Sequence, residues 1–377
     1  MKEEVFVPKP KPKAFFVRVF VCLFLGLILT FVVTAWFVYQ QLNKYWFDEG
    51  RIYYDEPVLF QVDSASTVRS VLSEINAQSE DGYPMFNRLA LKLLAPDVIV
   101  KRGEYEVSGS YSRQQLFDLF GSGKSKQHAV TLIEGTTLNE TLAALSEQDL
   151  LKHSMATMED LSAIDLLDLR AIEIMPIGLA DELGEMQVLE GWFFPDTYNF
   201  DRGVGILNVL KRSHKKMLEI LLQEWETRAK DLPLSSAYEA LILASIIERE
   251  SGHVDEREKI AGVFIRRLQK GMRLQTDPTV IYGMGERYTG NLRRQDLKHD
   301  TPYNTYTRDG LPPTPIALPG QASIRAALHP EPGTALYFVA KGDGSHIFSD
   351  TLDQHNRAVR KYQILQRRAD YQSAPKK

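Results

Sequence analysis

Leu241-Ile242-Leu243-Ala244-Ser245-Ile246-Ile247-Glu248-Arg249-Glu250-Ser251-Gly252 is an apolar run that yields abruptly to acids. It predicts a helix from Tyr238 to about Ser251, started by Ser235 or Ser236. A carboxyl at the end of a buried stripe is where a pKa rises, because burial penalises the charged form. The helical period separates the two acids. Glu250 has Ile247, Ile246 and Leu243 at i−3, i−4 and i−7, so it stacks over the apolar face. Glu248 has Ser245 and Ala244 at the first two of those positions and sits about 200° around the helix. Glu250 is the better candidate for a desolvated, protonated acid, with Ser251 in reach of that carboxyl or of a substrate. The bland alternative is a solvated helix end.

Downstream, Ile260, Val263, Phe264 and Leu268 predict another helix, ended by Gly271. Thr276 to Pro319 reads as loop, and long ordered loops tend to carry function. Gly271 to Gly283 mixes turn residues with polar groups that a sugar could use, Gln275 and Asp277 among them. Thr301-Pro302-Tyr303-Asn304-Thr305-Tyr306-Thr307 has the make-up of a carbohydrate subsite. Its aromatics can cover pyranose faces, and its Asn and Thr can bond hydroxyls. Gly310 to Ile316 reads as a rigid wall. Ser323 opens a short helix, Leu336–Val339 and His346–Phe348 flank a Gly-Asp-Gly hairpin turn, and a last helix covers 351–368.

Upstream, Ile206 to Trp225 is a long amphipathic helix. Residues 150–190 carry weak signals. Residues 47–57 read as a polar linker, and from Val58 to about Ser146 short strands alternate with short helices, as in a small α+β binding module. Val19 to Asn43 holds no charge over 25 positions. About 20 apolar residues span a bilayer as a helix. Lys2, Lys9, Lys11, Lys13 and Arg18 precede it, which places residues 1–18 in the cytoplasm by the positive-inside rule. Trp36, Tyr39, Tyr45 and Trp46 read as the outer aromatic belt. A cleaved signal peptide is the competing reading, but its apolar core would be shorter and would end at small residues.

The 45 basic and 49 acidic side chains give a net charge of −4, which argues against a general nucleic-acid binder. The one cysteine excludes an intrachain disulfide and any zinc site needing two thiolates. No cofactor and no metal is indicated. His253 with Asp255 or Glu256 is a remote metal alternative.

Ile246 to Ser251, followed by Gly271–Gly283, Tyr303–Thr307 and Gly310–Pro319, resembles the endolytic murein transglycosylase (YceG-like) family. Glu190-Gly191-Trp192-Phe193-Phe194-Pro195-Asp196-Thr197-Tyr198 also looks like that family's. The likeness covers most of residues 50–365. It implies an α+β protein with a cytoplasmic tail (1–18), a single transmembrane helix (19–43) and a LysM-like glycan-binding module (47–146). A connecting segment (147–189) and a mixed α+β catalytic domain (190–368) would follow. By the same resemblance the chain sits in the inner membrane with its catalytic domain in the periplasm, acts on peptidoglycan strands, and works beside peptidoglycan synthases of elongation or division. The activity implied is that of a carbon–oxygen lyase, with Glu250 the catalytic acid. Glu190, Ser251, Gln275, Asp277, Tyr303, Asn304 and Tyr306 are candidates for substrate binding. Asp277 and Glu190 are also the available second acids, although Asp277 is well placed to cap a turn and Glu190 to hold a loop. A non-enzymatic wall-binding scaffold and a hydrolytic muramidase are the alternatives.

Overall fold

Proline at the first helical position lacks only an N–H that would go unbonded there anyway. After Pro12 the next thirty-five residues contain no helix breaker except Gly26. They form one 36-residue helix, α1 (Pro12–Phe47). It belongs to a computed structural model that describes residues 12–48, 52–63, 65–77, 84–151, 167–176, 179–250 and 253–365. The chain divides into two units, 1–127 and 128–377.

In the first unit α1 is about 54 Å long, more than the ~30 Å of a bilayer's hydrocarbon core. Its stretch from Phe15 is long and apolar enough to cross a membrane, and its large side chains from Phe15 to Phe37 face outward. The far end behaves differently. Leu42, Tyr45 and Trp46 are buried in one core with Phe60, Leu72 and Phe117. Trp46 stacks on Phe117 at 5.5 Å and its Nε1 donates to Gln114 at 2.6 Å. The fully buried Arg113 lays its guanidinium 3.7 Å over the Tyr45 ring and donates to the Tyr45 carbonyl at 2.9 Å. Tyr45 and Trp46 are therefore core residues, which corrects their expected place in an interfacial belt. The expected linker at 47–57 is also corrected. Strand β1 (Ile52–Val62) already starts inside it, with Ile52 and Tyr54 buried.

Strand β1 pairs antiparallel with β2 (Gly103–Tyr111), Phe60 opposite Tyr105. The register slips between Tyr54 and Val58, where Pro57 has no N–H to give the ladder. Helices α2 (Val68–Ala77) and α3 (Pro84–Leu93) lie between the two strands in sequence. Helix α4 (Arg113–Ser122) follows, opened by a reciprocal capping box between Ser112 and Gln115 and closed by Gly123 at φ 75°.

The second unit begins with β3 (His128–Thr131), which pairs antiparallel with β4 (Thr197–Phe200). Residues 128–146 thus fall with the second unit, whereas the sequence expectation carried the first module on to 146. Helix α5 (Leu138–Ser146) is capped by Thr137 and Glu140. Three short helices, α6 (Leu169–Ile174), α7 (Leu179–Leu183) and α8 (Glu185–Leu189), lead to β4. The body is α9 (Ile206–Glu226), α10 (Ala237–Glu250), α11 (Arg257–Gln269), α12 (Asp277–Met284) and α13 (Gln321–Leu328). It closes with the hairpin β5 (Tyr337–Ala340) and β6 (His346–Ser349), then α14 (Leu352–Val359). The fold is mixed α+β. Helix α10 packs against α9, α11, α12 and α13, and every side chain from Ala240 to Glu248 is buried. Helix α12 falls in the stretch expected to be loop. Pro278 stands at its start, where proline begins a helix rather than breaking one.

Candidate active site

Because α10 is enclosed on all sides, the helical period does not tell Glu248 from Glu250; their partners do. Glu248 is 2% exposed. Its Oε1 accepts Arg257 Nη2 at 3.1 Å, and its Oε2 accepts Ser323 Oγ at 2.8 Å and the Gly320 N–H at 3.2 Å. The ion pair ties α11 to α10, and the Ser323 and Gly320 hydrogen bonds tie the start of α13 to it. Burial on one stripe, the sequence argument for Glu250, belongs at least as much to Glu248.

Glu250 is the last residue of α10 and is partly exposed. Its Oε1 accepts a short hydrogen bond from Thr276 Oγ1. Burial pushes its pKa from 4.5 up to about 7. The Thr276 bond and the Arg267 charge hold it down, and the neighbouring Asp277 carboxylate adds to the rise. At neutral pH such a group is about half protonated, against well under 1% for an ordinary glutamate.

The loop that brings Thr276 here is braced by backbone and threonine contacts. Gly271 turns the chain at φ 63°. Arg267 Nη1 donates to the Leu274 carbonyl at 2.6 Å and its Nε to the Leu336 carbonyl at 2.7 Å. Gln275 takes φ 50°, a left-handed conformation uncommon outside glycine. Its N–H donates to the Thr305 carbonyl at 3.2 Å. The Thr276 N–H donates to Thr305 Oγ1 at 3.1 Å, Thr279 Oγ1 donates to the Thr276 carbonyl at 2.8 Å, and the Thr279 and Thr305 hydroxyls bond at 2.9 Å. Thr276, Thr279 and Thr305 are all buried. Sequence reasoning gave Thr276 and Thr279 no role, although Thr-Asp-Pro-Thr opens α12, and it read Thr305 as a sugar contact where the structure makes it a brace.

Of the candidate residues, Asp277 and Tyr306 join Glu250. Tyr306 Oη donates to Asp277 Oδ1 at 2.6 Å. The Asp277 carboxylate acts on Glu250, while burial and these two acids keep the Tyr306 phenol protonated. Gln275 is exposed beside them. Ser251 lies outside the described residues.

The other three are turned into the protein. Glu190 is 3% exposed. It accepts the Leu138 N–H at 2.9 Å and Tyr282 Oη at 3.1 Å, so it caps the start of α5. Burial raises its pKa to about 8. Tyr303 Oη bonds Thr314 Oγ1 at 2.9 Å. The Asn304 amide donates to the His299 carbonyl at 2.7 Å and its oxygen accepts the Tyr306 N–H at 2.8 Å, bracing the loop. Two of the candidate carboxyls are thus held partly neutral, and of these Glu250 is the partly exposed one. Geometry comes before pKa in choosing an acid. The Glu190–Tyr198 run is a core plug. Gly191 sits at φ 82° where a Cβ would lie 2.4 Å from Pro315 Cβ, and Trp192 stacks on Tyr238 at 5.7 Å.

The sequence profile of the YceG-like family matches residues 60–361. The chain belongs to the YceG-like family. Among relatives in it, an endolytic murein transglycosylase of Bacillus subtilis is 35% identical over 238 residues, 62% of this chain and 64% of that protein. An endolytic murein transglycosylase of Streptococcus pneumoniae is 26% identical over 279 residues, 69% of this chain and 50% of that one. The chain therefore spans less than two thirds of the curated relatives it matches. A crystal structure of a YceG-like protein of Listeria monocytogenes superposes with a TM-score of 0.50 at 27% identity, over 81% of this chain and 99% of the other. In YceG-like terms, α10, the 271–276 turn and the 303–306 loop all lie inside the matched span.

Proposed function

We propose that this chain is an endolytic murein transglycosylase that cleaves the MurNAc–GlcNAc bond within peptidoglycan strands and leaves 1,6-anhydro-MurNAc ends. The observation that carries the reading is a partly exposed Glu250 with its pKa near 7, fixed by Thr276 at the end of a buried helix. Protonated, Glu250 gives its proton to the glycosidic oxygen. As carboxylate it takes the proton of the muramic acid C6 hydroxyl, whose oxygen attacks C1. One carboxyl serves both steps, and neutral-range titration suits each. Asp277 and Tyr306 stand beside it as substrate contacts, with Gln275 exposed on the rim.

The relatives' names support the substrate class. The apolar α1 supports a single-pass anchor, with the N-terminus cytoplasmic and the second unit in the periplasm as the catalytic domain. The two helices between antiparallel β1 and β2 support a LysM-like glycan-binding reading of the first unit. Tethering would raise the local concentration of strands near the bilayer.

Mass spectrometry of strand ends after digestion tests this. Anhydro ends made by the full chain and lost in Glu250→Gln, with folding intact, are expected. The proximity of Asp277 to Glu250 is the one observation favouring a hydrolytic muramidase, which needs two carboxylates. Reducing muramic acid ends would establish the hydrolase and reject the lyase. A cellular effect that survives Glu250→Gln unchanged would establish a scaffold.

A further inference from the structure

A cavity of about 430 Å³ opens along α12 in the second unit, beyond the Glu250 cluster. Its apolar floor is Val280 and Met284, about one turn apart on the helix. Its rim carries two exposed guanidinium groups, Arg287 and Arg293. Among the described residues neither is in an ion pair, and Arg287 Nε donates to the Met284 carbonyl at 3.4 Å. The negative charge on the wall is Asp296, and its Oδ2 is taken up by the Arg293 N–H at 2.8 Å. Two guanidiniums against one carboxylate leave the lining one net positive charge. Thr301 also lines it, and its Oγ1 is buried without a hydrogen-bond partner. Forked guanidinium donors, a spare hydroxyl and an apolar floor suit a carboxylate on a short apolar stem.

The position specifies which carboxylate. Helix α12 begins at Asp277, beside Glu250, and reaches Val280 and Met284 about 5 and 10 Å along its axis. In peptidoglycan the sugar whose C1 is attacked also bears the peptide branch, through its lactyl group. A strand held with its scissile bond at Glu250 puts that branch within this distance. We propose that the cavity binds a carboxylate of the peptide branch on the muramic acid being cut. The identity of the ligand rests on the transglycosylase reading; the site rests on the cavity's own lining.

The test uses the full chain in detergent micelles and needs no turnover. A soluble stem peptide beginning L-Ala-γ-D-Glu, with free carboxylates, is titrated against the same peptide with every carboxylate made a carboxamide, by calorimetry or NMR. The acid is expected to bind about tenfold or more tightly than the amide, the scale of one charge-assisted pair. Added salt should weaken that preference, and R287Q/R293Q should abolish it. Both arginines are exposed, so the double variant should fold, which circular dichroism checks. Equal affinity for acid and amide, no saturable binding, or an unchanged double variant would overturn the proposal. A chain that binds the peptide but yields no anhydro ends keeps this site and loses the transglycosylase reading. A chain that yields anhydro ends and ignores the peptide does the reverse.

Discussion

Thr276→Val removes one hydroxyl and keeps the shape of a side chain that is 2% exposed. The lost group is the donor to Glu250 Oε1. A donor stabilises the carboxylate over the acid, so it lowers the Glu250 pKa against the larger effect of burial. Its removal must raise the pKa. A hydrogen bond to a charged group contributes about 1.5–3 kcal/mol, and one pKa unit is about 1.36 kcal/mol. The expected rise is therefore about 1–2 units, starting from about 7. The Thr276 backbone keeps its bonds to Thr305 and Thr279, so the turn should hold. The assay is kcat/KM on glycan strands against pH. Its alkaline limb, where the acid loses its proton, should move up by about 1–2 units. Peak activity should drop, because the carboxyl loses its anchor. An alkaline limb that stays put or moves down would refute the reasoning.

Further outcomes follow from the same contacts. Glu250 has a folded pKa above its unfolded value, so the stability it contributes is complete below about pH 4.5 and is lost as pH rises through about 7. Glu250→Gln should therefore unfold at a higher temperature than wild type near pH 8 and at about the same temperature near pH 4. Glu248→Gln should destabilise the second unit, because it leaves buried Arg257 with only the longer contact to half-exposed Glu134 at 3.7 Å; a loss of about 3 kcal/mol is expected by denaturant unfolding. Trp46→Ala should cost the first unit about 3–5 kcal/mol, read by thermal unfolding, and deletion of residues 1–47 should destabilise that unit further. Gly191→Ala should destabilise the second unit, since its Cβ would meet Pro315 and its φ disfavours any side chain.

Much of the helix framework was legible because each element carried its own punctuation. Ser112, Thr137 and Thr351 cap the helices that follow them, and Gly271 turns the chain where expected. Misreadings arose where tertiary context overrode local pattern. Tyr45 and Trp46 continue an apolar helix, and only the partners Gln114, Phe117 and Arg113, nearly seventy residues away, make them core. Strand β4 is four residues long and exists through pairing with β3, sixty-odd residues earlier. Helix α12 was hidden by the Gly, Pro, Tyr and Asn content of 276–319 and by reading Asp277 as a turn cap. In the site, Glu250 was legible as an acid at the end of an apolar run. Its distinction from Glu248 was not, since that depends on Arg257, Ser323 and Gly320 arriving from other helices. The roles of Tyr303 and Asn304 are set by loop bonds to Thr314 and His299 that composition alone does not reveal.

The most direct test is an NMR titration of the Glu250 side-chain carboxyl in the folded chain, assigned by comparison with Glu250→Gln. A midpoint near 7 is predicted. A midpoint near the ordinary glutamate value of about 4.5 would leave the carboxyl ionised at neutral pH and contradict its role as the proton donor.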